Sequence, residues 1–448
     1  MSALKLLRPC IFLYIALALV ACQPASDQNT EEVQTSEAPV YTGARLVQVD
    51  SIMIDLIGNF KVYDYQPETD LFLGGDIGGF MIIMGSAPPS NELGHVIFNR
   101  HGEILHQFNH ADNGPEGHSA GAYDHAFLGT DDIGVMSKKA LYRYGIDGSY
   151  VGKYTDLNTF DLVGFSGQRM IFSHDGAHIA LGLPKGMEEA KSAWDSIFQI
   201  VRPLWFYDLG LPNNADEKRL SVKLVKATGY PDHPIYAPDN EIGKNPFPPL
   251  MSVNHLTEEL FVVYPLIPQA WVYDMKRGGL KTKIDLAPAN FEVETPIGNV
   301  SGGVAGYGGL LWSNKGGRMA NARYQELTQL GDYTLLRYSL ALPSSVVNEL
   351  VSAPVLFHKN ENWPRIRKKH YRYQYQLFKN GEKVLPDFEL PLLEPKKGQL
   401  EMANNRITRG KIIGGNGLDE VFVFVPNDGD EERDYELIRV YKLELNTQ

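Results

Sequence analysis

LYRYGIDGSYVGKY, residues 141 to 154, sets tyrosines at every second position on one side of Asp147-Gly148 and resumes an extended pattern on the other. Alternation with a period of two marks a β-strand. Asp-Gly between two such runs predicts a hairpin with a tight two-residue turn, because that turn needs positive φ at both central positions. Both halves are short, and the polar turn leaves no room for a helix. Related stretches recur along the chain, so the hairpin is read as one copy of a repeated unit.

The other copies are Val96 to Phe108, turning at His101-Gly102; Met170 to Leu183, turning at Asp175-Gly176; and Leu204 to Leu224, with a longer connection through Pro212 to Lys218. Trp271 to Ile284 turns at Gly278-Gly279 and Tyr375 to Phe388 at Asn380-Gly381. Each is preceded by shorter, more apolar runs, such as His125 to Leu128 and Ile133 to Met136 ahead of the quoted hairpin. Early strands are expected at Leu46 to Leu56, Phe60 to Asp64, Leu71 to Gly74 and Phe80 to Met84. About four strands per unit, repeated around a ring, is the pattern of a β-propeller. The fold class expected is therefore all-β: a propeller over residues 45 to 448, of six blades by the best count with seven as the alternative, and with short helical insertions at Gly186 to Val201 and from Ser344 through Val346 to Ser352. The last copy, Glu436 to Leu445, stops after one strand, and Leu46 to Leu56 is an early strand without a partner. The two are expected to pair and close the ring.

Composition agrees. Twenty-three tyrosines, 43 glycines and 27 prolines suit many strands and turns, and a net charge of −12 disfavours nucleic acid as a partner. Lys5 and Arg8 precede the apolar run Ile11 to Val20, which is too short to span a bilayer and reads as a signal segment over residues 1 to 21. It ends Leu19-Val20-Ala21-Cys22, which resembles the lipobox of bacterial lipoproteins. That resemblance implies lipidation of Cys22, including palmitate-type acylation, and Gln23 after it implies the outer membrane. The only other cysteine, Cys10, lies in the segment to be removed, so no disulfide or thiolate metal site is expected. Residues 22 to 44 are polar and acidic and read as a flexible tether from membrane to propeller.

Phe172 to Ala180, FSHDGAHIA, resembles the SPDGxxIA repeat of TolB-like propellers, with His174 where proline is usual. Gly114-Pro115-Glu116-Gly117 resembles the blade connection of NHL-like propellers. Lipobox and six-bladed pattern together are similar to the bacterial lipoproteins grouped as domain of unknown function 4221. The resemblance implies a fold and a cell-envelope address, with no catalytic residues to carry over.

Six of the twelve histidines, His95, His101, His106, His110, His118 and His125, fall in one stretch without His-x-His or His-Glu-x-x-His spacing. They read as a solvated histidine-rich edge, with no metal and no cofactor. Candidate ligand-binding residues lie where the innermost strands begin or turn: Tyr123, Asp124, His125, His174, His255, Trp312, Asn314 and Arg318. Aromatic, amide, imidazole and guanidinium groups converging there would suit a polar or anionic ligand. Gly302 to Gly309 lacks the lysine and the βα context of a phosphate loop, and reads as a turn between blades. There is no G-x-S-x-G elbow and no sialidase-type Asp box. The basic run Arg365 to Tyr375 reads as a solvated outer strand with its tyrosines packed inside, and Asn427 to Asp434 fails calcium-loop spacing and reads as an exposed hairpin tip.

Three functional classes follow. The first is a lipid-anchored envelope module that binds an envelope protein, a peptide or a glycan. The second is a hydrolase or lyase using Asp124, His125, His255 and Arg318. The third is a structural envelope component. The absent catalytic motifs favour the first over the second.

Overall fold

The structure, a computed structural model, describes residues 41 to 447 except 57–59, 77–93, 111–113, 115, 119–123, 138–139, 156, 158–169, 186–196, 211–217, 238–247, 294–320, 344, 347–369, 371, 391–409 and 426–433. All described residues belong to one compact unit, Val40–Gln448, and the expected signal and Cys22 lie outside them.

The unit is a six-bladed β-propeller. Blade 1 comprises β2 (Phe60–Gln66), β3 (Leu71–Asp76), β4 (His95–Asn99) and β5 (Ile104–Phe108). Blade 2 comprises β6 (Asp124–Leu128), β7 (Asp132–Met136), β8 (Leu141–Gly145) and β9 (Tyr150–Tyr154). Blade 3 comprises β10 (Met170–Phe172), β11 (His178–Lys185), β12 (Arg202–Leu209) and β14 (Val222–Thr228). Its third-to-fourth-strand connection lends β13 (Arg219–Leu220) to blade 2, where it pairs parallel to β9 and covers that edge. Blade 4 comprises β15 (Leu250–Asn254), β16 (Glu259–Val263), β17 (Gln269–Asp274) and β18 (Leu280–Asp285). Blade 5 comprises β19 (Arg323–Leu330), β20 (Tyr333–Ser339), β21 (Tyr373–Lys379) and β22 (Glu382–Lys383). Blade 6 comprises β23 (Lys411–Gly415), β24 (Val421–Val425), β25 (Glu436–Thr447) and, as its fourth strand, β1 (Tyr41–Ile54).

Blade 6 is closed as expected. β1 runs antiparallel to β25 from Tyr41↔Thr447 to Ile54↔Glu436, starting earlier than the Leu46–Leu56 run suggested. Ile52 and Ile54 turn inward and are buried, while Val49 and Met53 face solvent.

Burial follows radius. Second and third strands carry consecutive buried residues, as in Leu260–Val263 of β16 and Ala270–Tyr273 of β17, because a neighbouring blade covers each sheet face. Fourth strands carry the least burial, and every residue of β18 except Ile284 faces water; β9, covered by β13, is an exception and buries Gly152 and Tyr154. First strands neighbour one another in the order β2, β6, β10, β15, β19, β23, and β23 meets β2. Six apolar clusters result, one at each blade–blade interface. Between blades 6 and 1, for example, Phe72 stacks on Phe98 (5.1 Å between centroids, 10° between planes) and meets the edge of Phe422 (5.1 Å, 89°).

Two expectations change. Met170 to Leu183 is a hairpin, but it joins the first and second strands of blade 3, whereas most of the other hairpins join third and fourth strands. Asp147-Gly148 is not a two-residue turn with both φ positive. Gly148 N–H donates to Gly145 O (2.9 Å), Gly145 N–H donates to Ser149 O (2.8 Å), and only Gly148 has positive φ (85°). This is a type I turn followed by a left-handed glycine, which places a bulge in the ladder. Asn380-Gly381 has positive φ at both residues (51° and 82°) and is the two-residue form. Gly148 also makes a blade contact: a Cβ there would lie 2.6 Å from the Phe108 ring of blade 1. Gly102, Gly278 and Gly381 sit likewise against the preceding blade.

Of the expected helices, Ile197–Ile200 and residues 345 and 346 are helical, and the remainder lie outside the described residues. So do Phe80 to Met84, Gly302 to Gly309, Arg365 to Lys369 and most of Asn427 to Asp434. Tyr373 and Tyr375 are buried, as the alternation in the basic run indicated, but they begin β21, the third strand of blade 5, and not a solvated outer strand, because β22 pairs outside it.

Removing residues 41 to 54 strips blade 6 of its fourth strand and bares the β25 edge. We expect the truncated chain to elute as high-molecular-weight material in size-exclusion chromatography with light scattering. A monodisperse truncated monomer would show that closure is dispensable.

Candidate functional site

The turns joining first to second strands all lie at one end of the ring, because the first strands run side by side in one direction. Three of these turns carry the site. In blade 1, residues 67–70 form a four-residue loop between Gln66 and Leu71 that ends on Asp70 at φ 56°. In blade 4, residues 255–258 form a loop of the same length between Asn254 and Glu259, ending on Glu258 at φ 51°. Asn254 Oδ1 accepts from Leu256 N–H (3.0 Å) and Thr257 N–H (3.4 Å), which starts that turn. In blade 3, Gly176 N–H donates to Ser173 O (3.0 Å), and Asp175 Oδ1 accepts from Ser173 Oγ (2.6 Å) and Ala177 N–H (3.0 Å). His174 therefore occupies the second position of a β-turn, where proline is favoured for its fixed φ. The side chain at that position is free to point out of the turn.

These loops bring Glu68, His174 and His255 together, with one potential donor atom from each within 4.8 Å of the others. His174 Nδ1 lies 3.3 Å from Glu68 Oε1, and the His174 and His255 rings are 6.1 Å apart at 63°. Glu258 Oε1 accepts from the His174 backbone N–H (3.3 Å), tying the blade 4 loop to the blade 3 turn. His255 Nδ1 and Glu258 Oε2 are buried without a hydrogen-bond partner among the described residues. Burial is the main influence holding the His255 pKa below its ordinary value; His174 lowers it further, and Glu68 and Glu258 act against this. The His174 side chain is 49% exposed and Glu68 30%, so the group opens to solvent.

The other candidates sit elsewhere. Asp124 and His125 begin β6, at the opposite end of the first strands from these turns. Asp124 Oδ1 accepts from His125 N–H (3.1 Å) and Oδ2 from Met170 N–H (2.8 Å), which staples blade 2 to blade 3. Asp64 does the same between blades 1 and 2, taking Tyr65 N–H (3.0 Å) and Phe127 N–H (2.9 Å). Tyr123, Trp312, Asn314, Arg318 and Cys22 lie outside the described residues. Glu68 was missed by sequence reasoning. Its signal is positional: it occupies the same first-to-second-strand turn as His174 and His255 in their blades.

The histidine-rich stretch is not a solvated edge. His95, His118 and His125 are buried. A nitrogen pair, His95 Nε2 and His125 Nδ1, sits at 2.8 Å, so a hydrogen on one of them bridges the two rings. His125 stacks on Tyr63 (4.2 Å) and His110 on Tyr144 (4.7 Å, 6°). The polarity of the residue type misled, because these imidazoles pack as aromatic rings between blades 1 and 2. His101 and His106 remain outside this packing, on the turn and outer strand expected. Burial and the neighbouring His118 push His95 down to about 3, and burial with His95 holds His125 well below the imidazole range. Burial pushes the Asp64 carboxyl up to about 6.

A cleft of about 890 Å³ opens elsewhere, among Arg45, Asp332, Asn416, Lys442 and Glu444. Its charges pair with one another, as in Arg45–Glu444 (2.8 Å) and Lys442–Asp419 (3.0 Å), so it offers little to a charged ligand.

No family model and no curated protein matches the sequence. Among solved structures, a member of the duf4221 family from Bacteroides vulgatus ATCC 8482 superposes with a TM-score of 0.55 at 11% identity, over 90% of this chain and 99% of that one. The two share a fold. A Bacteroides fragilis NCTC 9343 chain described as a "Putative exported protein" gives a TM-score of 0.45 at 9% identity, covering 92% of this chain and 95% of that one. A β-propeller domain from Myceliophteria thermophila gives 0.36 at 8% identity, covering 89% and 100%.

The buried histidines make stability depend on pH. Below the ordinary imidazole pKa of 6.5 the unfolded chain binds protons that folded His95 and His125 do not, so stability falls as pH drops. Asp64 opposes this between its ordinary 3.8 and about 6, where the folded state holds the extra proton. His95→Gln keeps a hydrogen-bonding group and removes one titration, with Asp64 common to both proteins. In denaturant titrations from pH 7 to pH 5, the wild type should lose up to about 1.4 kcal/mol per pH unit more than the variant. Parallel profiles would refute the assignment.

Proposed function

We propose that this chain is a lipid-anchored cell-envelope binding module, facing the periplasm or the cell surface, whose ligand is taken at the first-to-second-strand turns of the propeller. The observation that carries the reading is the convergence of Glu68, His174 and His255 from three blades, beside buried polar atoms that have no partner among the described residues. A buried polar atom without a hydrogen bond lowers stability by about 1 to 3 kcal/mol, so a ligand that supplies the missing partner gains that much in affinity. The lipobox-like Leu19 to Cys22, the preceding apolar run and the polar tether support the anchor. Absence of a nucleophile-elbow motif from the sequence supports binding over acyl-transfer chemistry. The ligand classes that suit imidazole and carboxylate groups on exposed loops are envelope proteins, peptides and glycans.

Anchor and site are tested separately. Cys22→Ser should move the protein from the membrane pellet to the soluble fraction, or leave it unprocessed. Full membrane partitioning of the variant would refute the anchor. A panel of cell-wall peptides and glycans, screened by thermal shift, should contain a member that stabilises the wild type, by about 2.7 kcal/mol at a hundredfold excess over Kd. His255→Ala and His174→Ala should each remove that shift. Equal shifts in wild type and variants would place the ligand elsewhere on the ring, and no shift at all would favour a structural envelope component.

A further inference from the structure

We propose that Glu68, His174 and His255 form a coordination site for a divalent transition-metal ion, with Zn²⁺ the first choice. This rests on the reading of the same turns as the binding end and gives that end its chemistry. Two imidazoles and a carboxylate are a recurrent protein set for Zn²⁺, leaving a fourth position for water or a ligand. Calcium and magnesium prefer six or more oxygen donors, and imidazole nitrogens disfavour both.

Geometry carries the argument. Metal–ligand bonds of about 2.0 to 2.2 Å in a tetrahedron separate the donors by roughly 3.3 to 3.6 Å. The His174 Nδ1 to Glu68 Oε1 distance of 3.3 Å already has that value. The remaining donor pairs lie within 4.8 Å, so closure by about an ångström or slightly more completes the set. His174 and Glu68 are partly exposed and can make that adjustment by side-chain rotation. His255 is the fixed member. Its loop is started by the Asn254 turn, and its Nδ1 is buried with no hydrogen-bond partner among the described residues. Glu258 has one carboxylate oxygen on the His174 backbone and the other buried without a hydrogen-bond partner among the described residues. It is an outer partner that fixes the backbone of a ligand residue, as the outer partners of metal-bound histidines do. Glu258 also keeps φ at 51°, in the left-handed region that glutamate rarely adopts. A strained backbone at a group of potential donors fits a functional site.

No single blade holds the site. Glu68 comes from blade 1, His174 from blade 3 and His255 from blade 4, so an ion held by all three would bridge the end of the ring. The competing account is an ordinary histidine–carboxylate pair between His174 and Glu68, which has no use for the His255 nitrogen.

The test uses the full chain, purified in detergent, stripped with EDTA and dialysed free of chelator. Titration with ZnCl₂ by calorimetry should give one equivalent per chain. Glu68→Gln, His174→Ala and His255→Ala should each weaken binding at least tenfold, while His101→Ala, on an exposed turn of blade 1, should leave it unchanged. Each variant's metal-free unfolding midpoint is measured alongside, so that a misfolded variant is not scored. Co²⁺ in place of Zn²⁺ should give the strong visible absorption of a tetrahedral site, and His255→Ala should abolish it. Absence of stoichiometric binding by the wild type, equal affinity in the three variants, or a loss seen only with His101→Ala would each overturn the metal site. Repeating the peptide and glycan panel in EDTA separates the two proposals. A panel member that still shifts the wild type, in a protein that binds no Zn²⁺, overturns the metal and leaves the binding-end reading standing. Stoichiometric Zn²⁺ binding that the three variants lose supports the metal whether or not a panel ligand is found.

Discussion

A four-stranded sheet with apolar residues on both faces cannot exist alone in water, and this constraint shapes the whole molecule. The second and third strands of each blade are buried on both sides, so each blade needs a neighbour on either face. The apolar interior is accordingly divided into six clusters, each shared by two blades. Burying one leucine or phenylalanine side chain contributes about 1.5 to 3 kcal/mol, and among the described residues the clusters hold from 9 to 17 buried apolar side chains each. An open row of blades would leave two of these faces wet, so the row must become a ring. Left-handed glycines in the outer turns, with Gly148 against Phe108 as the example, let one blade approach the next without a side chain between them. Asp64 and Asp124 add hydrogen bonds across the first strands.

The architecture was legible because its signals are local. Period-two alternation, turn residues and a final unit cut short are all visible within a dozen residues, and they were enough to reach six blades and the β1–β25 pairing. Two local errors have a common cause. Asp-Gly suits both a two-residue turn and a type I turn with a left-handed glycine, and the choice depends on ladder register. Met170 to Leu183 looks like an outer hairpin because the residues that make a strand–turn–strand are the same at any radius. Its place is settled by what packs on it.

The site was only half legible, for a different reason. His174 and His255 stood out as histidines at turns, but what gives them meaning is Glu68, which is distant in the chain and close in space. The histidines of the 95–125 stretch show the converse. Three of them are buried against one another, and the polarity of the residue type hid an aromatic interior. The two groups of histidines differ in their surroundings: His95 and His125 are enclosed among aromatic rings between blades 1 and 2, and His174 on its loop opens to solvent.

Thr42 and Asn446, hydrogen-bonded in the finished ring, are 404 residues apart in the chain. Each of the other five blades draws its four long strands from one continuous stretch, whereas blade 6 draws on both ends of the sequence. The first strand made therefore has no sheet to join until the last is made, and it must stay available throughout synthesis. Contacts of such long sequence separation form slowly. Closure thus acts as a latch: a ring lacking either β1 or β25 keeps a bare strand edge, and the pairing of the two removes it.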